Sequence, residues 1–436
     1  MKVVEGWETK RFDEFGMIIS GSTPSTSIPS FWGGDIVWVT PNDLSKLNTP
    51  YLYDSGKRIT EKGLNGCSAH LLPARSLVMS SRAPIGYVAL PTVQFCTNQG
   101  CKTVRLKSGF HPEFVYYNVL FNIDKIKNLG EGTTFSEISG STLSTVEIAF
   151  PSSKHEQTKI AEILSTVDRA IEQTEALIAK QQRIKNGLMQ DLLTCGIDEH
   201  GNLRSEETHK FIDSPLGRIP VEWEVETLGQ VIGPIVSGWS PNCDSTPAAQ
   251  GEWAVLKTTA VIWEGYDQNE NKRLPSQLAG IEAIEVQSDD ILITRKGPVE
   301  RVGVVVHVDK TRSRLMIPDT VFRMRLRPDS KIEPAFVPYA LGCASVQSDW
   351  FQKKIGLADA QVNLNHSILK TTFFPKPRPD EQRQIILIGS NASRHSFSER
   401  RRLAKLKSIK TALMQDLLTG KKRVTALLDE EEVPAS

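Results

Sequence analysis

Seven consecutive residues, Leu188-Met189-Gln190-Asp191-Leu192-Leu193-Thr194, recur letter for letter as Leu413-Met414-Gln415-Asp416-Leu417-Leu418-Thr419, 225 positions further along a chain of 436. Each copy runs within two residues into a glycine, Gly196 or Gly420, and the same offset carries Glu156-Gln157 and Ile160 onto Glu381-Gln382 and Ile385. The chain is therefore built twice, and any fold assigned to it must accommodate two tandem units. Weaker echoes lie upstream at offsets between 216 and 225: Trp7 with Trp223, Ser20-Gly21 with Ser237-Gly238, Pro112, Phe114 and Val115 with Pro334, Phe336 and Val337, and Phe150-Pro151 with Phe374-Pro375. Loop insertions in diverged copies produce such drift.

Each unit reads as a mixed α/β globule followed by a helix. Short segments rich in β-branched and aromatic residues, bounded by Gly, Pro, Asn or Asp, predict strands at 36–39, 77–79, 87–90, 103–106, 291–293, 302–308 and 320–326, with helices at 112–122 and 334–345. From Glu156 to Leu193 the apolar residues Ile160, Ile163, Leu164, Val167, Ile171, Leu177, Ile178, Ile184, Leu188 and Leu192 keep a 3/4 spacing between charged and amide residues. About 38 residues make a rod of roughly 57 Å, which needs a partner for its stripe. The second copy supplies one through Leu403, Leu406, Ile409, Leu413 and Leu417. Over 389–398 (GSNASRHSFS) glycine and short polar residues replace apolar ones, so the second helix is expected to be kinked, frayed or missing there.

The architecture expected is thus α+β, with two tandem mixed domains separated by two long antiparallel coiled-coil helices in a pseudo-twofold repeat. The segments are 1–150, the first globule; 151–197, the central helix; 198–374, the second globule, led in by a linker over 198–222; 375–424, the last helix; and 425–436, an acidic disordered tail.

Several function classes drop out. There is no phosphate loop, GxSxG elbow or GxGxxG turn, the His155-Glu156 start of an HExxH pattern lacks its second histidine, and no amino-methyltransferase or PD-(D/E)xK motif is complete, so no catalytic residue is assigned. The six cysteines are too scattered for a disulfide framework or a zinc site, and no metal is expected. No apolar run reaches the roughly 18 residues of a membrane span, and the start of the chain lacks a signal-peptide core, which makes the cytoplasm the default location. A net charge of +1 gives no field strong enough to predict nucleic-acid binding, so a case for DNA rests on local pattern.

Such patterns exist. In 320–327 the alternation sets Phe322, Met324 and Leu326 toward a core and Arg323, Arg325 and Arg327 on the other face, with a milder version in Arg105 and Lys107, a spacing suited to successive phosphates or to a solvated strand face. Arg82 and Arg295-Lys296 follow apolar strands at equivalent places of the two units, and Asn98-Gln99 and Asn365 sit on amide-rich loops. Arg suits guanine and Asn or Gln suits adenine, although these are also ordinary turn residues. The last helix adds Arg400, Arg401, Arg402, Lys405, Lys407 and Lys410, continuing to Lys421-Lys422-Arg423, which read as a solvated face or as phosphate contacts.

Two variable globules, each followed by a long helix that opens on Glu156-Gln157 or Glu381-Gln382 and closes on Leu-Leu-Thr, resemble the specificity subunit of type I restriction-modification systems. The junction Phe211 to Trp223 (FIDSPLGRIPVEW) is similar to the family's lead-in to its second globule, and Gly6-Trp7 to that of its first. The resemblance implies a non-catalytic subunit whose globules are target recognition domains, each reading one half of a bipartite double-stranded DNA target. It implies that the helices pair antiparallel to set the gap and dock two methyltransferase subunits, with the interface on Ile160, Leu164, Val167, Ile171, Ile178, Leu188, Leu192, Leu403, Leu406, Leu413 and Leu417. No cofactor is expected on this chain; S-adenosylmethionine belongs to the methyltransferase partner, and ATP and Mg to restriction subunits. The alternative from the residues alone is a coiled-coil scaffold without sequence-specific DNA binding.

Overall fold

The computed structural model describes residues 4–82, 84–130, 137–356, 362–425 and 427. Its contacts divide the chain into two units, residues 1–176 with 401–436 and residues 177–400. Two helices supply a segment to each: Lys154–Thr194, 41 residues, and Pro379–Leu417, 39 residues. The second begins on a proline with Asp380 and Glu381 in its first turn, which suits an N-terminus lacking hydrogen-bond acceptors and carrying a positive dipole end. Both terminate just before a glycine in the left-handed region, Gly196 at φ +67° and Gly420 at φ +71°, where a side chain would be strained.

In unit 1 the strand Trp7–Arg11 pairs antiparallel with Glu147–Pro151, Trp7 opposite Pro151, which brings the start of the globule beside the start of the first long helix. A five-stranded sheet runs in the order Gly16–Ser20, Cys101–Leu106, Leu77–Ser80, Val88–Pro91, Tyr51–Leu52. The core beneath it holds Phe12, Phe15, Phe114 and Phe150 with Ile160 and Leu164 from one long helix, Leu417 at the end of the other and Leu418 just beyond it. Ile160 and Leu164 are fully buried, each worth about 1.5–3 kcal/mol relative to exposure. Packing of this kind, more than helix propensity, holds the long helices in place.

Unit 2 repeats the plan. Glu224–Thr227 pairs antiparallel with Phe373–Lys376, and a four-stranded sheet runs Val236–Ser237, Val321–Met324, Ile291–Thr294, Val305–His307. One core joins Phe322, Met324, Phe336, Trp350 and Phe374 to Leu192 and Ile385 of the helices, and a second gathers Val255, Leu292, Val306, Met316 and Val321. The segment leading into this unit carries a hairpin, Phe211–Ser214 with Gly217–Pro220.

Three expectations are corrected. The second long helix is unbroken through 389–398. Gly389 is there because the Tyr339 ring lies against it, so close that a Cβ would come within 2.5 Å of the ring. Second, Leu177, Ile184 and Ile409 leave the apolar seam, at 38%, 59% and 38% exposure, while Ile178 and Leu192 are buried and Val167, Ile171, Leu188, Leu403, Leu406 and Leu413 half-buried. Third, Val321–Met324 has no open face, because Phe322 and Met324 belong to one core and Val321 to the other, so Arg323 is left 7% exposed. Among the described residues no helix is long and apolar enough to cross a membrane.

Candidate nucleic-acid interface

The repeated Glu-Gln pair turns out to be a clasp. In unit 2 the Glu381 carboxylate, at the start of the second long helix, accepts from Arg204 Nη1 at 2.6 Å, Arg204 Nη2 at 3.2 Å, the Trp223 indole at 3.1 Å and the Ile197 amide at 2.8 Å. Ile197 and Arg204 follow the end of the first long helix, so the two helices meet antiparallel, start against end. In unit 1 Glu156 accepts from Arg423 Nε at 2.6 Å and Nη2 at 2.8 Å, and Arg423 also donates to the Glu5 carbonyl. The neighbouring glutamines do equivalent work. Gln157 accepts from the His111 amide at 3.0 Å and donates to the Pro151 carbonyl, while Gln382 accepts from the Glu333 amide at 2.8 Å and donates to the carbonyls of Lys331 and Pro377. Each glutamine ties the last strand of its globule to the loop before the globule's late helix. The repeat was visible in sequence, but its arginine partners were not, since they lie 177 and 267 residues away.

The clasp also accounts for part of the basic run near the chain's end. Arg423 is committed to Glu156, and Lys421 and Lys422 lie 3.5 Å and 3.0 Å from Asp416. The hydrogen bond from Lys422 holds the Asp416 carboxyl below its usual range. Lys407 pairs with Glu175 at 2.7 Å and Lys410 with Asp168 at 2.7 Å, a further antiparallel lacing of the two helices in unit 1.

In both units the fold brings the arginine loop beside the amide-rich loop. In unit 1 the Ser81 amide donates to the Gly100 carbonyl at 2.8 Å, setting Arg82 next to Asn98 and Gln99. Arg82 is half-exposed and paired with Glu137 at 2.9 Å; Gln99 is exposed and accepts from Thr23; Asn98 caps its own turn through the Gly100 amide at 3.1 Å. In unit 2 the Leu364 amide donates to the Arg295 carbonyl at 2.8 Å, and Lys296 stands opposite Asn363 in a strand pair. Arg295 sits over the Phe322 ring, its guanidinium carbon 4.6 Å from the ring centre, with the His366 ring centre at 4.5 Å from the same centre and Ser237 Oγ accepting from Nη1 at 3.2 Å. Burial, with Arg295 close by, draws the His366 imidazole below its ordinary pKa. Lys296 approaches Asp319 at 3.9 Å.

Six of the expected contact residues have internal roles. Lys107 donates to the carbonyls of Asp13 and Glu14, both at 2.9 Å, and Asn365 caps a short helix by accepting from the Ile368 amide at 2.9 Å. Arg323 donates to the carbonyls of Glu285 at 2.5 Å and Ala283 at 3.0 Å, and burial pulls its pKa down while Asp290 opposes the shift. Arg325 is bidentate to the fully buried Asp290, at 2.5 Å and 3.4 Å. Asn98 is held in its turn, and Arg327 likewise donates to the carbonyls of Ile232 and Gly229. Arg105 differs: it is exposed on its strand opposite Met17, with no partner among the described residues.

Residues 4–181 match the family described as "Type I restriction modification DNA specificity domain". The chain is 37% identical over 235 residues to the type I restriction enzyme MjaIX specificity subunit of Methanocaldococcus jannaschii, covering 53% of this chain and 52% of that one. It is 22% identical over 441 residues to the MjaVIII specificity subunit of the same organism, covering 98% and 95% of the two chains. The chain thus spans about half the length of the more identical relative, 52%. The crystal structure of the type I restriction-modification S subunit from M. genitalium shares the fold, with a TM-score of 0.59 at 18% identity over 96% of this chain and 98% of that one.

Proposed function

We propose that this chain, which carries a DNA specificity domain of the type I restriction-modification family over residues 4–181, is the sequence-reading subunit of such a system. That family match is the observation that carries the reading, and the second unit repeats the plan of the first. Each globule reads one half of a bipartite DNA target, and the laced helices set the gap and dock two methyltransferase subunits. The chain itself makes and breaks no bonds. Methylation draws on S-adenosylmethionine held by the methyltransferases, and restriction subunits, where present, use ATP and Mg. Such a complex works on DNA in the cytoplasm.

The side chains best placed to touch DNA are Arg82 and Gln99 in unit 1 and Arg295 and Lys296 in unit 2, with Arg105 as a phosphate contact. A guanidinium held over an aromatic ring and by a hydrogen bond from Nη1 is positioned before binding, which suits recognition of guanine. Selection of a random duplex library by the chain assembled with its methyltransferase tests the reading. Two conserved blocks separated by a fixed gap are expected, with affinity falling steeply as salt rises. Absence of salt-sensitive DNA affinity contradicts it and favours a protein scaffold.

A further inference from the structure

A cleft of about 880 Å³ lies in unit 2, between the paired long helices and the hairpin Val261 to Tyr266, and unit 1 shows what is missing from it. The offset of 225 along the helices sets Asp168 against Ser393 and Lys410 against Lys185, and the offset of 222 that aligns Phe114 with Phe336 sets Tyr117 against Tyr339. In unit 1 these residues form a closed set: the Tyr117 hydroxyl donates to Asp168 Oδ2 at 2.8 Å, and Lys410 Nζ lies 2.7 Å from Oδ1. In unit 2 the tyrosine and the lysine remain and the carboxylate does not. The Ser393 hydroxyl that replaces it donates to the Gly389 carbonyl at 2.9 Å and faces the Tyr339 hydroxyl.

Among the described residues no carboxylate is bonded to both the tyrosine and the lysine as Asp168 is, although the Glu264 charge favours the charged form of Lys185 from a distance. Among the described residues Lys185 has no hydrogen bond or ion pair, and burial draws its pKa below the ordinary value. Glu264 is itself engaged by Arg400 at 2.8 Å, and Arg400 stands where unit 1 has Glu175. The wall of the cleft differs as well. Glu172 of unit 1 corresponds to Phe397, whose ring lines the cleft at 43% exposure, as does Trp263 at 39%. Arg394, also lining it, has no internal partner among the described residues.

We propose that this cleft is a binding site for a small organic carboxylate bearing an aromatic or similarly flat apolar group. The carboxylate sits between Lys185 and Tyr339, as the Asp168 carboxylate sits between Lys410 and Tyr117, and the ring lies against Trp263 and Phe397. A charge-assisted pair formed away from bulk water is a strong recognition element, and the aromatic walls supply apolar contact area.

Calorimetric titration of the full-length chain with 2-naphthylacetate, and with its uncharged amide, tests this. The acid is expected to bind at least about tenfold more tightly than the amide, since loss of one charge-assisted contact is worth about a factor of ten or more. Lys185→Met is expected to reduce acid affinity by a similar factor while leaving amide binding unchanged. Ser393→Asp, which rebuilds the unit 1 arrangement, is expected to abolish acid binding while keeping the native circular dichroism and the DNA selection profile. No detectable heat with the acid at millimolar concentration, equal affinity for acid and amide, or unchanged acid binding in both variants overturns the proposal. Displacement of the acid by bound methyltransferase would assign the cleft to a carboxylate of that protein and would equally overturn the small-molecule reading. The DNA-recognition reading stands apart from every one of these results, because it rests on other residues.

Discussion

In unit 2 the clasp glutamate Glu381 and its partner Arg204 are both at 3% side-chain exposure, and the carboxylate takes donors from a guanidinium, an indole and a backbone amide. In unit 1 Glu156 is as deeply buried, at 1%, but Arg423 keeps 29% of its side chain in solvent, and the buried Trp7 indole N–H finds no acceptor among the described residues. The same helix-opening signature has thus been closed to different degrees. A fully enclosed ion pair is penalised heavily when one member is removed, because the other is left buried and uncompensated, whereas water can take over part of the role at an exposed one.

The comparison can be broken most severely at Arg204. Arg204→Met is expected to cost about 3–5 kcal/mol, with hydrogen-exchange protection lost in the Glu224–Thr227 and Phe373–Lys376 pair and kept in unit 1. A loss below about 1 kcal/mol would show that the clasp does not hold the unit. Next comes Arg325→Ala, which strips a bidentate partner from the buried Asp290 and should lower unit 2 stability by about 2–3 kcal/mol in denaturant unfolding. If instead DNA affinity falls with stability unchanged, Arg325 is a phosphate contact after all. Arg423→Ala is expected to cost less than Arg204→Met, about 1–2 kcal/mol, confined to unit 1. Trp223→Phe should cost about 1 kcal/mol more than Trp7→Phe, since only the former removes a hydrogen bond; equal melting shifts would refute that difference. The smallest stability effect belongs to Arg105→Ala, within about 0.5 kcal/mol. There the expected change is weaker binding to all DNA sequences and a salt slope reduced by about 1, read by fluorescence anisotropy.

The sequence disclosed the architecture because periodicity and repetition are local or register-preserving signals. The Leu-Met-Gln-Asp-Leu-Leu-Thr copies, the 3/4 stripe and the glycine stops each survive without knowledge of tertiary contacts. Where tertiary packing overrode local pattern, the reading failed. Gly389 looked like a helix breaker, yet it is the surface on which Tyr339 packs. The alternation over 320–327 looked like a one-sided strand, yet Val321–Met324 lies between two cores and Arg323 and Arg325 answer to Asp290 and to backbone carbonyls. The candidate DNA contacts were legible as loops in equivalent places. Which of them keep free donors was decided by partners distant in sequence, such as Phe322 for Arg295 and Ser237 for its Nη1.

Whether the two units each read half of one target is decided by a methylation map. A methylation-free host expressing this chain with the methyltransferase proposed to dock on it is compared with a host expressing that methyltransferase alone. A bipartite methyladenine motif is expected only in the first host, and Arg295→Ala should relax one position in one half while the other half stays intact. Stable co-purification of the two proteins with no motif in either host would contradict that expectation.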